Sequence, residues 1–83
     1  MKLLYFAWVR EKAGLAEETV ELPEGVETVA ALIGWLRARG PEFEAAFERA
    51  EVIRAAMNQR HVKHDARLDG AREIAFFPPV TGG

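Results

Sequence analysis

The sequence predicts an α+β fold: a mixed four- to five-stranded sheet with one main helix across one face and a short second helix. Three observations predict it. An aromatic-rich apolar run opens the chain at Lys2 to Arg10, and a second closes it at Arg72 to Phe77. Between them, Val29, Leu32, Ile33 and Leu36 fall at i, i+3, i+4 and i+7, the stripe of an amphipathic helix. The chain has 83 residues, enough for one core and too few for two. One helix lying on one sheet is the economical way to bury these faces.

The opening run reads as a strand from its Tyr, Phe, Trp and Val content. Alternation sends Leu3, Tyr5, Ala7 and Val9 one way, and Leu4, Phe6, Trp8 and Arg10 the other. Glu11 to Ala16, with Gly14, reads as a loop. Thr19 to Leu22 alternates and is expected to pair with the first strand as a hairpin, ended by Pro23-Glu24-Gly25. Thr28 is a good N-cap for a helix over Val29 to Arg39, and Gly40-Pro41 stops it. A shorter helical turn with Phe43 and Phe47 on one side follows. Val52 to Asn58 reads as a third strand, with Ile53, Ala55 and Met57 inside and Arg54 outside. Asn58 to Gly70 reads as polar and irregular. The last strand, Arg72 to Phe77, stops at Pro78-Pro79 with Ile74 and Phe76 inward and Ala75 and Phe77 outward. Strand, strand, helix, short helix, strand, strand is the order of the β-grasp, the ubiquitin-like fold. Residues 1–79 are expected to form that domain and 80–83 a flexible tail.

Composition excludes much chemistry. The chain has no Cys and no Ser, so it offers neither disulfide, thiolate nor serine nucleophile. The formal net charge is −2 and no basic stripe is visible, which argues against nucleic acid. No apolar run reaches membrane-spanning length, so no membrane association is expected. The start runs directly into a strand-like segment without a cleavage site, so cytoplasmic location is expected. His61 and His64 lie near Asp65 and Asp69. That grouping reads as a solvated loop rather than a metal site, since no fourth ligand is evident. Glu42, Glu44 and Glu48 read as the wet face of a helix around Phe43 and Phe47.

The ending carries the chemistry. Phe77-Pro78-Pro79-Val80-Thr81-Gly82-Gly83 leaves a strand, passes two prolines that hold an extended path, and tapers to two glycines. Glycine has no Cβ, so such a stem fits a narrow tunnel and presents the Gly83 carboxylate at its tip. An inert frayed terminus is the plain alternative.

Leu4-Tyr5-Phe6-Ala7 with Val9-Arg10-Glu11, Ala56-Met57-Asn58-Gln59, and Glu73-Ile74-Ala75-Phe76-Phe77-Pro78-Pro79-Val80-Thr81-Gly82-Gly83 resemble the small-subunit family of molybdopterin synthase, ubiquitin-like sulfur carriers of molybdenum-cofactor synthesis. The resemblance spans the whole chain. It implies that an adenylyltransferase related to ubiquitin-activating enzymes uses ATP to adenylate the Gly83 carboxylate, and that a sulfur donor converts it to a covalent thiocarboxylate. It implies that Gly82, Thr81, Val80, Pro79 and Pro78 thread a tunnel in the large subunit, where sulfur passes to a cyclic pyranopterin precursor. It also implies a docking patch, taken as Phe77, Leu4, Phe6, Trp8 and Arg10. No cofactor is expected to be held permanently. The chain is expected to be a sulfur-donating subunit without a complete active site of its own, in a heterotetramer of two small and two large subunits. The family often carries Asp-Gly-Asp-Glu before its last strand; here Asp69-Gly70 is followed by Ala71-Arg72-Glu73. A sulfur carrier of another pathway, or a covalent protein modifier using the same terminus, shares the activation chemistry.

Overall fold

The computed structural model describes residues 1–79, and its sheet has five strands. The elements run β1 (Lys2–Tyr5), α1 (Ala7–Ala13), β2 (Glu17–Thr19), α2 (Val29–Arg37), α3 (Pro41–Ala46), a 3₁₀ turn (Ala50–Val52), β3 (Arg54–Met57), β4 (Arg60–Val62) and β5 (Glu73–Phe77). The spatial order is β2-β1-β5-β3-β4. The first and last strands are parallel neighbours at its centre, and β2, β3 and β4 pair antiparallel. The expected mixed sheet with a main helix and a shorter one is present, with α1 as an additional helix.

That helix is the main correction. The opening strand ends at Tyr5 instead of reaching Arg10, and Ala7 to Ala13 is helical. Val9 and Ala13, four residues apart, are buried, while Arg10, Glu11 and Lys12 are exposed, so burial here follows the helical period. The chain leaves the sheet by a sharp turn at Ala7, whose φ is +53°. A residue with a Cβ pays a conformational cost there, so nothing at Phe6-Ala7 announces a turn. Gly14, at φ +86°, closes the helix with its N–H donating to the Arg10 carbonyl.

The second strand is displaced to Glu17–Thr19 from the expected Thr19 to Leu22. Its register sets Lys2 against Thr19, so residues beyond Val20 would need partners before Met1. Val20 and Leu22 instead pack against the edge of the core. The segment after Asn58 is also more regular than expected. Asn58 and Gln59, both at positive φ (51° and 70°), make a two-residue turn that joins β3 to β4, with Met57 opposite Arg60. Both central residues of such a turn are left-handed, the geometry that matches strand twist.

α2 begins as expected: Thr28 Oγ1 accepts from the Ala31 N–H at 3.1 Å. It ends at Arg37, two residues earlier than expected. Val29, Leu32, Ile33 and Leu36 are all buried. With Leu3, Tyr5, Val9, Phe47, Ile53, Ile74 and Phe76 they form the core between helices and sheet. Gly34 lies mid-helix and exposed, and a Cβ placed there meets nothing within 4 Å. Gly34→Ala is therefore expected to stabilise the fold by about 0.5–1 kcal/mol, mainly by restricting the unfolded chain. A thermal melt checks this.

The short edge strand β2 is held by a polar cluster. Tyr5 donates its hydroxyl to Glu18 Oε2 at 2.7 Å, and Arg39 grips both Glu18 oxygens at 2.7 and 3.0 Å. Arg39 also lies over the rings of Phe43 (4.6 Å) and Trp35 (5.3 Å). Burial, then the Glu18 hydrogen bond, pushes the Tyr5 hydroxyl far above its ordinary range. Burial acts to raise the Glu18 carboxyl, but the hydrogen bonds from Arg39 and Tyr5 outweigh it and hold Glu18 below its usual range. A carboxylate depressed in the folded state adds stability that is fully present above its unfolded value, about 4.3, and is lost as pH falls through its folded value. Glu18→Gln is thus expected to melt below the parent at neutral pH, by about 1–2 kcal/mol, with the gap closing in acid. Melts of both proteins across that range test it; a gap independent of pH contradicts it.

Candidate functional site

The Phe77-Pro78-Pro79 segment singled out by the sequence lies at the end of β5. That strand is flanked by β1 and β3, so its direction is fixed from both sides. Its sequence alternates as expected: Ile74 and Phe76 are fully buried, with Ile74 opposite Met57 and Phe76 opposite Ala55 and Tyr5. Ala75 and Phe77 point to the other face; Ala75 is covered by its neighbours and Phe77 is half-buried. Beyond it, Pro78 and Pro79 are half-buried. Pro79 lies along an open groove of about 390 Å³ shared with Val52, Ile53, Arg54, Val62 and His64. Val80, Thr81, Gly82 and Gly83 lie outside the described residues.

The sheet's outer face carries a continuous row. Leu4 pairs with Ala75, Ala75 with Ala56, and Ala56 with His61. Phe6, at the end of β1, donates its N–H to the Phe76 carbonyl at 3.0 Å and so sits beside the root of the tail. It is the large apolar side chain most open to solvent among the described residues, at 47% exposure. Leu4, Phe6 and Phe77 therefore share one end of one face.

Trp8 and Arg10 do not belong to that row. Their assignment to it required β1 to continue to Arg10, and both stand instead on α1. Trp8 lies against Lys12, whose Nζ is 5.2 Å from the ring, and borders a groove with Ala45, Glu48 and Arg49. α1 packs on α3, so this second aromatic site is on the helical side of the molecule. Arg10 is exposed on α1.

Two contributors escaped the sequence reading. Asn58 clamps the turn that leads into β5. Its Oδ1 accepts from the N–H groups of Arg72 and Glu73 at 2.8 and 3.1 Å, and its Nδ2 donates to the Gly70 carbonyl at 3.3 Å. These bonds use the main chain of residues 70–73, so they hold whatever side chain stands at Ala71 or Arg72. The other is His61, whose ring meets Phe77. His64 is otherwise engaged, with Nε2 2.7 Å from the Ile53 carbonyl. Among the described residues, no three His, Asp or Glu side chains group as metal ligands, and no helix is long and apolar enough to cross a membrane. Of the three glutamates around α3, Glu44 pairs bidentately with Arg37 at 2.7 and 3.1 Å on the surface.

The family model described as the ThiS family matches residues 3–83. The molybdopterin synthase sulfur carrier subunit of Escherichia coli (strain K12) is 40% identical over 83 residues, covering 100% of this chain and 99% of its own. Among solved structures, SAMP1 from Haloferax volcanii superposes with a TM-score of 0.75 at 26% identity, covering 100% of this chain and 98% of its own. The putative molybdopterin converting factor, subunit 1, from Pyrococcus furiosus does so with a TM-score of 0.65 at 32% identity, covering 95% of each chain.

Proposed function

From the membership of this chain in the ThiS family, we propose that it is the sulfur-carrier subunit of molybdopterin synthase, with the Gly83 carboxylate as its working group. The observation that carries this reading is the match reaching residue 83, joined to a strand held at the centre of the sheet that runs directly into Pro78-Pro79.

The chemistry follows from the group presented. A carboxylate is a poor acyl donor. Its oxygen attacks the α-phosphorus of ATP, pyrophosphate leaves, and the acyl-adenylate becomes electrophilic at the carbonyl of Gly83. Sulfide-level sulfur, handed over by a donor as the equivalent of HS⁻, then displaces AMP and leaves a thiocarboxylate. The soft, anionic sulfur attacks a carbon of the pyranopterin precursor in the large subunit and displaces an oxygen leaving group from it. Water then cleaves the resulting thioester, leaving the sulfur on the product as a thiol and restoring the Gly83 carboxylate. What this chain supplies to these steps is a reactive terminus and the surface that delivers it. ATP is a substrate of the partner adenylyltransferase, and the chain works in the cytoplasm with that enzyme and the large subunit.

Delivery requires a grip, and the grip is Phe77 with Leu4 and Phe6. Phe77→Ala is expected to weaken binding of the large subunit by about 2–4 kcal/mol, as truncation of a central aromatic does. Its melting temperature should stay close to the parent's. Ile33→Ala, at a site 3% exposed under α2, should do the reverse, losing about 2–5 kcal/mol of stability. Calorimetric titration and thermal melts of both variants decide. Parental affinity in folded Phe77→Ala removes the docking role.

A further inference from the structure

His61 stands on β4 and Phe77 on β5, and these strands are not neighbours, because β3 lies between them. Their rings nevertheless meet edge to face, with centroids 5.3 Å apart and planes at 77°. The strand between allows it. His61 is opposite Ala56, which presents only a methyl on the outer face, so the imidazole can lean across β3. Phe77 is opposite Arg54, on that same strand. Phe77 is only half-buried, flanked on β3 by a flexible arginine side chain, so its ring keeps rotamer freedom whose loss on binding costs affinity. Edge-to-face contact with a neighbouring ring removes part of that freedom beforehand.

We propose that His61 is a positioning residue: it buttresses Phe77 at the root of the tail and presets that ring for the partner surface. This rests on the reading of Phe77 as a docking residue. His61 is exposed and makes no hydrogen bond to the core that would give it a structural task, in contrast to His64. Phe77 is the last residue of β5, so its ring stands next to Pro78-Pro79.

The test uses the full chain. His61→Ala is expected to bind the large subunit about three- to tenfold more weakly in calorimetric titration, with an unchanged melting temperature. His61→Phe, which restores a ring without an imidazole nitrogen, should return to parental affinity. In the free proteins, three-bond couplings about the Phe77 Cα–Cβ bond should report one rotamer in the parent and in His61→Phe, and averaging in His61→Ala. Parental affinity in His61→Ala, or an unaveraged Phe77 in that variant, overturns the proposal. So does weak binding by His61→Phe with Phe77 still in one rotamer, which would mean that the imidazole contacts the partner itself. If Phe77→Ala also binds like the parent, the docking reading fails, and that outcome is distinct from failure of His61 alone.

Discussion

Deletion of Gly83 is expected to abolish sulfur transfer and leave the fold intact. The core is complete without the tail: Leu3, Tyr5, Leu32, Leu36, Phe47, Ile74 and Phe76 bury one another within residues 1–79. Removing the terminal glycine moves the carboxylate back by one residue, about 3.5 Å of extended chain. Near-attack geometry tolerates far less, since a displacement of about 1 Å can cost on the order of a hundredfold in rate. An uncleaved C-terminal extension should be equally inactive, because it converts the carboxylate into an amide. An N-terminal tag should be tolerated. Gly82→Val probes the same stem by bulk, since a branched side chain both widens it and restricts its backbone. All four are read in a reconstituted synthase assay beside a thermal melt. Full activity from an uncleaved extension contradicts the carboxylate mechanism.

The largest effect on stability is expected at Phe47. This residue is the C-cap that follows α3, has no solvent exposure, and meets Phe76 edge to face at 5.1 Å and Tyr5 at 6.5 Å. Tyr5 in turn stacks on Phe76 at 6.2 Å and meets Phe43 at 6.1 Å. One ring thus joins α3 to both central strands. Phe47→Ala removes its burial and leaves a cavity that β1 and β5, locked by their register, cannot close. A loss of about 3–5 kcal/mol follows, a large share of the total stability of a domain this size. Urea unfolding measures it. A loss below about 1 kcal/mol would mean that α3 collapses onto the sheet and that the aromatic cluster is not a rigid unit.

What the sequence made legible follows physical lines. α2 was readable because Thr28 and the Val29-Leu32-Ile33-Leu36 stripe agree on start and face; its end was misplaced by two residues, because Gly40-Pro41 opens α3 and α2 already ends at Arg37. The inward and outward sets of β5 were readable because a strand at the centre of a sheet has a strict period of two. α1 was not, since Tyr5-Phe6-Ala7-Trp8-Val9 has strand composition and its turn uses an alanine at positive φ. That misreading carried Trp8 and Arg10 into the outer patch by alternation. The β3–β4 hairpin hid for the same kind of reason: Asn58-Gln59 adopts a turn that Asn-Gly would have advertised. At the site, the tail motif was legible as local sequence. The His61–Phe77 contact was not, because it depends on strand order and on the small Ala56 between them.

The most direct measurement is the intact mass of this chain, isolated without C-terminal tags from cells making molybdopterin. A sulfur carrier gives a second species, heavier by the difference between one sulfur and one oxygen, with the change confined to the Gly83 residue on fragmentation. That species disappears when the adenylyltransferase is absent. A single unmodified mass under those conditions, or a ladder of larger conjugates lost on deleting Gly83, contradicts the sulfur-carrier mechanism.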